Sequence, residues 1–182
     1  MKKISVLLLL LLFTAQVFSQ DDNGVAISTA KNEFKINGLF IILGAIEIDY
    51  EYLINEEASL GVDVLFAFDD ENLDLNYYVS PYYRQYFGKK PTAGFFVEGF
   101  GMLNSVDDFV FTEEQDSDGF PIFDGEFQTV TDFALGIGAG GKFLTKRGFV
   151  AEISVGIGRN LFNSDRDYTI VGKGGISLGY RF

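Results

Sequence analysis

A two-residue alternation of apolar and polar side chains runs through most of this chain, and it constrains the fold more than any other feature. In residues 58–68, Leu60, Val62, Val64, Phe66 and Phe68 share one face, and Ser59, Gly61, Asp63, Leu65 and Ala67 share the other. In residues 45–54, Ile46, Ile48, Tyr50, Tyr52 and Ile54 oppose Glu47, Asp49 and Glu51. Residues 127–143 set Phe133, Leu135, Ile137, Ala139 and Phe143 against Asp132, Gly136, Gly138, Gly140 and Lys142. Residues 149–158 set Phe149, Ala151, Ile153, Val155 and Ile157 against Glu152, Ser154, Gly156 and Gly158. Successive side chains of a strand point to opposite faces, so period two held over ten residues is a strand signature. Abundant Gly, Phe and Tyr with only 3 prolines suit strands and tight turns.

Carried along the chain, the pattern predicts eight strands, at 33–43, 45–54, 58–68, 72–87, 92–103, 127–143, 149–160 and 168–182. Several exceed the usual length of strands in soluble sheets and match the 9–11 residues of a tilted membrane-crossing strand. An even strand number with antiparallel neighbours is the habit of outer-membrane barrels. The expected fold is all-β, a transmembrane antiparallel up-and-down barrel. If both ends lie in the periplasm, the connections on that side are Asn55-Glu56-Glu57, Gly88 to Pro91 and Leu144 to Gly148, all short. The outward connections include a long one at 104–126 and moderate ones near 69–71 and 161–167, an asymmetry typical of such barrels. The connection near Gly44 reads as a tight turn.

The start of the chain reads as an export signal. Lys2 and Lys3 precede an apolar stretch, Leu7 to Phe13, and Val17 and Ser19 are small enough to precede a cleavage. Residues 1–19 are expected to be a cleaved signal peptide, 20–32 a lead-in and 33–182 the barrel. The apolar run is far short of the roughly 20 residues of a spanning helix. Removing two lysines leaves the rest more acidic than the −12 of the whole chain, a poor match to nucleic acid. With no cysteine, neither a disulfide framework nor a lipid anchor on cysteine is possible.

Alternation alone does not say which face is inside. A soluble barrel turns its apolar face inward, whereas a membrane barrel turns it out to lipid. Two features favour the second. One face sets glycines (Gly136, Gly138, Gly140, Gly156, Gly158) beside charges, which suits the narrow interior of eight strands. The other face is aliphatic and aromatic, with Tyr50, Tyr52, Phe87, Phe143, Phe149, Tyr168, Tyr180 and Phe182 towards strand ends, as in interfacial girdles. The interior then holds the acids Glu47, Asp49, Glu51, Asp63, Glu98, Asp132 and Glu152 and the bases Lys35, Arg84, Lys142, Lys173 and Arg181. Charges in so narrow a space must be paired or hydrated, so the set is expected to form a salt-bridge plug. A narrow cation path lined by the surplus acids is the alternative.

The last strand carries the most specific motif. Residues 174–182 read Gly-Gly-Ile-Ser-Leu-Gly-Tyr-Arg-Phe, with Gly174, Ile176, Leu178, Tyr180 and the final Phe182 on one face. This resembles the closing strand of outer-membrane proteins, and the chain as a whole resembles the small eight-stranded barrels of the Gram-negative outer membrane. The segment Glu47 to Leu53, followed by Asn55 and Ser59-Leu60-Gly61, is similar to the second hairpin of those families. The resemblance implies an outer-membrane location with both termini periplasmic. It also implies contact with outer-membrane lipid and lipopolysaccharide, and recognition of those five residues by the barrel assembly machinery. Members of that superfamily act variously as adhesins, channels, anchors or enzymes, so the fold leaves function open.

With neither histidine nor cysteine, Ser-His-Asp and Cys-His catalysis and the usual zinc ligands are excluded. No enzyme activity and no cofactor are expected. The 104–126 segment is the expected functional surface. It carries eight acids and no Lys or Arg, interspersed with Phe109, Phe111, Phe120, Ile122 and Phe123. Turn residues Asp116 to Gly119 allow it to fold as an extended hairpin above the barrel. Glu114, Asp116 and Asp118 before Gly119 resemble the start of a calcium loop, although the first ligand is Glu and Glu126 falls one place late. The sequence thus points to a non-enzymatic outer-membrane barrel serving surface interaction or envelope structure. The alternatives are a narrow, porin-like channel and a soluble periplasmic barrel that binds an apolar ligand.

Overall fold

The computed structural model describes residues 30–69, 75–115, 121–162 and 169–182, and the side chains of 108–127 fall outside that description. Residues 1–19, expected to be a signal peptide, most of the expected lead-in and Tyr168 lie outside the described residues. Eight strands follow one another around a closed barrel: β1 (Asn32–Asn37), β2 (Ala45–Leu53), β3 (Ala58–Ala67), β4 (Leu75–Phe87), β5 (Gly94–Gln115), β6 (Pro121–Leu144), β7 (Phe149–Asn160) and β8 (Ile170–Arg181). Every neighbour pair is antiparallel, and β8 returns to β1 to close the wall, with Glu33 opposite Arg181 and Asn37 opposite Ser177. Closure leaves the barrel without the two free edges an open sheet must protect. The all-β up-and-down architecture is the one the alternation predicts.

The first strand departs from expectation. β1 stops at Asn37, and Gly38–Leu43, read from sequence as its continuation, forms a short helix, α1. Short apolar runs are ambiguous between helix and strand, and here the ends decide. The Asn37 side chain accepts a hydrogen bond from the Leu39 N–H, an N-cap. Gly44 takes the left-handed conformation at the C-cap, with φ of 92°. The outer connection between β1 and β2 is therefore this helical turn and not the tight turn expected at Gly44.

The turns at the inner end are short and locally hydrogen-bonded. Asn55 Oδ1 accepts from the Glu57 N–H at 2.8 Å, and the Thr145 carbonyl from the Gly148 N–H at 3.2 Å. Gly148 has φ of 90°, a conformation that a side chain strains. At the other end the 104–126 segment forms the extended hairpin expected of it, as far as the described residues reach. β5 and β6 continue as a two-stranded ladder as far as Gln115 opposite Pro121. The proposed turn, Asp116 to Gly119, lies outside the described residues. Beyond the last β4–β5 pair, Leu75 with Val106, the ladder stands clear of the wall by about 30 Å at ~3.3 Å per residue.

Candidate functional site

The inward positions of the strands put twelve predicted charges in one space. Lys35, Glu47, Asp49, Glu51, Asp63, Arg84, Glu98, Asp132, Lys142, Glu152, Lys173 and Arg181 are all buried. Glu51 is their hub. It accepts from Lys35 Nζ at 2.6 Å, Lys142 Nζ at 2.7 Å, Arg84 Nη1 at 3.1 Å and the Tyr86 hydroxyl at 2.5 Å. Glu152 lies 3.0 Å from both Lys35 and Arg84, and Asp49 2.7 Å from Lys35. Towards the outer end, Glu98 bridges Arg84 at 2.7 Å and Lys173 at 3.1 Å, and Lys173 reaches Asp63 at 2.5 Å. Towards the inner end, Lys142 reaches Glu33 at 2.6 Å, and Arg181 reaches the same carboxylate at 2.5 Å. Arg181 also donates to the Thr92 carbonyl at 2.9 Å, tying the network to the inner mouth. Each buried charge thus has the partners that make its desolvation tolerable.

Two further predicted members make hydrogen bonds outside this network. Glu47 is hydrogen-bonded by Tyr78 and by Asn37, and Asp132 accepts from the backbone N–H of Phe133 and Phe162, anchoring the segment after β7. Sequence reading missed Glu33, although it shares the parity of Lys35. It also missed the aromatic content of the interior. Tyr78, Tyr82, Tyr86, Phe96 and Phe100 are buried among the charges. Arg84 lies 4.1 Å from the Tyr82 ring centre and 4.5 Å from that of Phe96, and Lys173 is 4.5 Å from Tyr82. These are cation–π distances. The glycines on the facing strands make room for the rings. A Cβ at Gly136 would collide with the Phe100 ring, and one at Gly140 with the Phe96 ring.

Above the charges the interior turns apolar. Ala45, Leu65, Tyr78, Phe100, Met102 and Ala134 pack together, and Phe40 of α1 closes against them. Ion pairs below and this cluster above occupy the barrel interior among the described residues. Among the described residues no group of carboxylates is arranged to hold a metal ion. Of the calcium candidates, Glu114 lies on β5 with its side chain outside the described set, and Asp116 and Asp118 lie outside the described residues.

The outer wall is the converse of the interior. Its middle is aliphatic, with Ile48, Val97, Ile137, Ile153, Val155 and Ile176 exposed, Ile137 and Val155 to 72 %. Tyr50, Tyr52, Phe87, Phe95, Phe143, Phe149, Tyr180 and Phe182 ring the inner end, and Phe66, Phe68 and Phe162 lie towards the outer end. Ile176, Leu178, Tyr180 and Phe182 of the closing strand belong to this surface, with Gly174 on the same face. Phe182 is stitched to Asn32 by two backbone bonds of 2.8 and 3.1 Å.

The acidic hairpin has a register that suits its charge. Asp107 faces Thr129, Asp108 faces Gln128, Thr112 faces Asp124, Glu113 faces Phe123, Glu114 faces Ile122 and Val110 faces Glu126. No acid is set directly opposite another, the pairing that would destabilise a ladder. At its base Asp107 accepts from Asn76 at 2.9 Å and from Thr129 at 2.7 Å.

Among solved structures the chain is similar to one described as the "Crystal structure of the N-terminal beta-barrel domain of Pseudomonas aeruginosa OprF". The superposition has a TM-score of 0.56 at 15% sequence identity, and covers 84% of this chain and 98% of that one. The two share a fold. At this identity the likeness speaks for the barrel and not for a shared role. No family model matches the chain, and no curated protein matches it.

Proposed function

We propose that this protein is a non-enzymatic, non-conducting β-barrel of the outer membrane that holds an acidic hairpin outside the cell for surface interaction or envelope structure. The observation that carries this reading is the inverted polarity of the barrel: ion pairs inside, and an apolar belt with aromatic rims outside. A soluble barrel that binds an apolar ligand has the opposite arrangement. The same polarity supports outer-membrane lipid as the surrounding phase, with lipopolysaccharide beside the outer rim. The position of Gly174, Ile176, Leu178, Tyr180 and Phe182 on the lipid-facing side of the closing strand supports their reading as an assembly signal. The filled interior argues against a channel, since eight strands leave space for little beyond side chains. The test is fractionation of cells expressing the full chain, with gel migration compared before and after boiling. The protein is expected in the outer membrane and to migrate differently unboiled. Recovery from the soluble periplasm without a migration shift would overturn the reading.

A further inference from the structure

The early end of β1 leaves a defect in the wall. β8 pairs with β1 only from Ser177 to Arg181, and β2 pairs with β1 only from Ile48 onward. In the outer half of the barrel α1 stands where a strand would complete the seam, packed between β2 and β8. Asn37, at the point of divergence, donates to the Gly174 carbonyl at 3.2 Å, satisfying one group on the exposed strand edge. On this stretch the outward positions of β8 are Gly172 and Gly174, so the wall there carries no side chains. The result is a groove of about 460 Å³ with β8 as its floor. Ile153 and Val155 of β7 form one side, Leu39 and Phe40 of α1 the other, and Ile176 the inner end.

We propose that this groove binds one hydrocarbon chain of a membrane lipid, and the proposal rests on the membrane reading above. Three observations support that occupant. The groove opens directly onto the apolar belt, since Ile153, Val155 and Ile176 belong to both. Its side walls are hydrocarbon, and the one charged residue at its floor, Lys173, points inward to Asp63 and Glu98. Its walls rise from elements flanking one strand, roughly 10 Å apart backbone to backbone at the usual strand spacing, a width that side chains reduce to that of a single extended chain. A Cβ at Gly172 would meet nothing within 4 Å, so the groove is open there, whereas one at Gly174 would meet the Ser154 carbonyl and the Val155 backbone of β7. Phe40 separates the groove from the apolar cluster inside the barrel, so the bound chain lies against the helix that seals the seam.

The test uses the full-length protein in phosphatidylcholine vesicles that carry a photoactivatable group near the end of one acyl chain. After illumination, cross-linked residues are mapped by mass spectrometry. Labelling at Leu39, Ile153, Val155 and Gly172 is expected to exceed that at Val62, Val64 and Val79, on the far wall, several-fold. In Gly172→Leu, which fills the groove, it should fall to the far-wall level; Val155→Phe fills it from the other side should the first variant not fold. Even labelling around the barrel, or labelling unchanged by filling, would overturn the proposal while leaving the membrane reading intact. Seam labelling that falls to nothing as protein density in the vesicles rises, with far-wall labelling unchanged, would replace the lipid with a second copy of the chain and overturn the proposal. Absence of lipid labelling anywhere on the wall would overturn both readings together.

Discussion

At the scale of single residues, stability in this barrel rests on charges that have been taken out of water and matched. Removing one partner leaves the others uncompensated, which in buried networks costs about 3–5 kcal/mol. Glu51→Ala strips Lys35, Lys142 and Arg84 of a shared acceptor and is expected to cost that much, read as a lowered urea midpoint for the refolded protein in lipid vesicles. Glu57→Ala, on an exposed inner turn, should stay within about 0.5 kcal/mol. A second expectation concerns space. Gly136→Val places a side chain where the Phe100 ring lies and should cost about 1–3 kcal/mol by overpacking. Combined with Phe100→Ala it should cost less than the sum of the two single changes, because the two positions share one volume. The inward parity of each charge was legible from alternation. The pairings were not, because the closed and tilted wall joins residues as distant as Arg181 and Glu33, 148 positions apart. Nor were the buried tyrosines, since residues 77–87 are aromatic on both faces and composition cannot choose between them.

At the scale of elements, the strands with clear alternation were legible to within a few residues, and the one misread segment fails for an identifiable reason. Gly38–Leu43 is a continuous apolar run without alternation, so its conformation depends on the caps at Asn37 and Gly44 and on tertiary packing of Phe40. The acids of 104–126 break the apolar pattern, so its hairpin was legible from turn residues and not from alternation, and the ladder extends β5 and β6. Away from the wall there is no core to impose alternation, so a ladder can form without period two in hydropathy. That independence makes a prediction. Replacing residues 109–127 by a short turn is expected to change barrel stability by less than about 1 kcal/mol, since loop length enters only logarithmically. The shortened chain should keep the full migration shift on an unboiled gel. Loss of that shift would mean that the hairpin holds the barrel together.

At the scale of the whole molecule, the barrel buries charges and exposes apolar side chains, an inverted distribution of polarity. Among the described residues the ion-pair network lies between Arg181 on Thr92 at one end and the Phe40 cluster at the other, and the non-conducting reading rests on that arrangement. Planar bilayers carrying the purified protein are therefore expected to show no discrete conductance steps, and reproducible steps would revive the channel reading. The central claim, that the apolar wall faces lipid, has a direct test because the chain contains no cysteine of its own. Single cysteines at Ile137 and Val155, both mid-wall and 72 % exposed, are compared with one at Lys89 on the inner rim. The measurement is the rate of reaction with a charged, water-soluble maleimide after insertion into open lipid vesicles. The account predicts rapid labelling at the rim and almost none at the two wall positions until the membrane is dissolved and the chain unfolded. Labelling of Ile137→Cys and Val155→Cys as fast as the rim would place that wall in water and contradict the account.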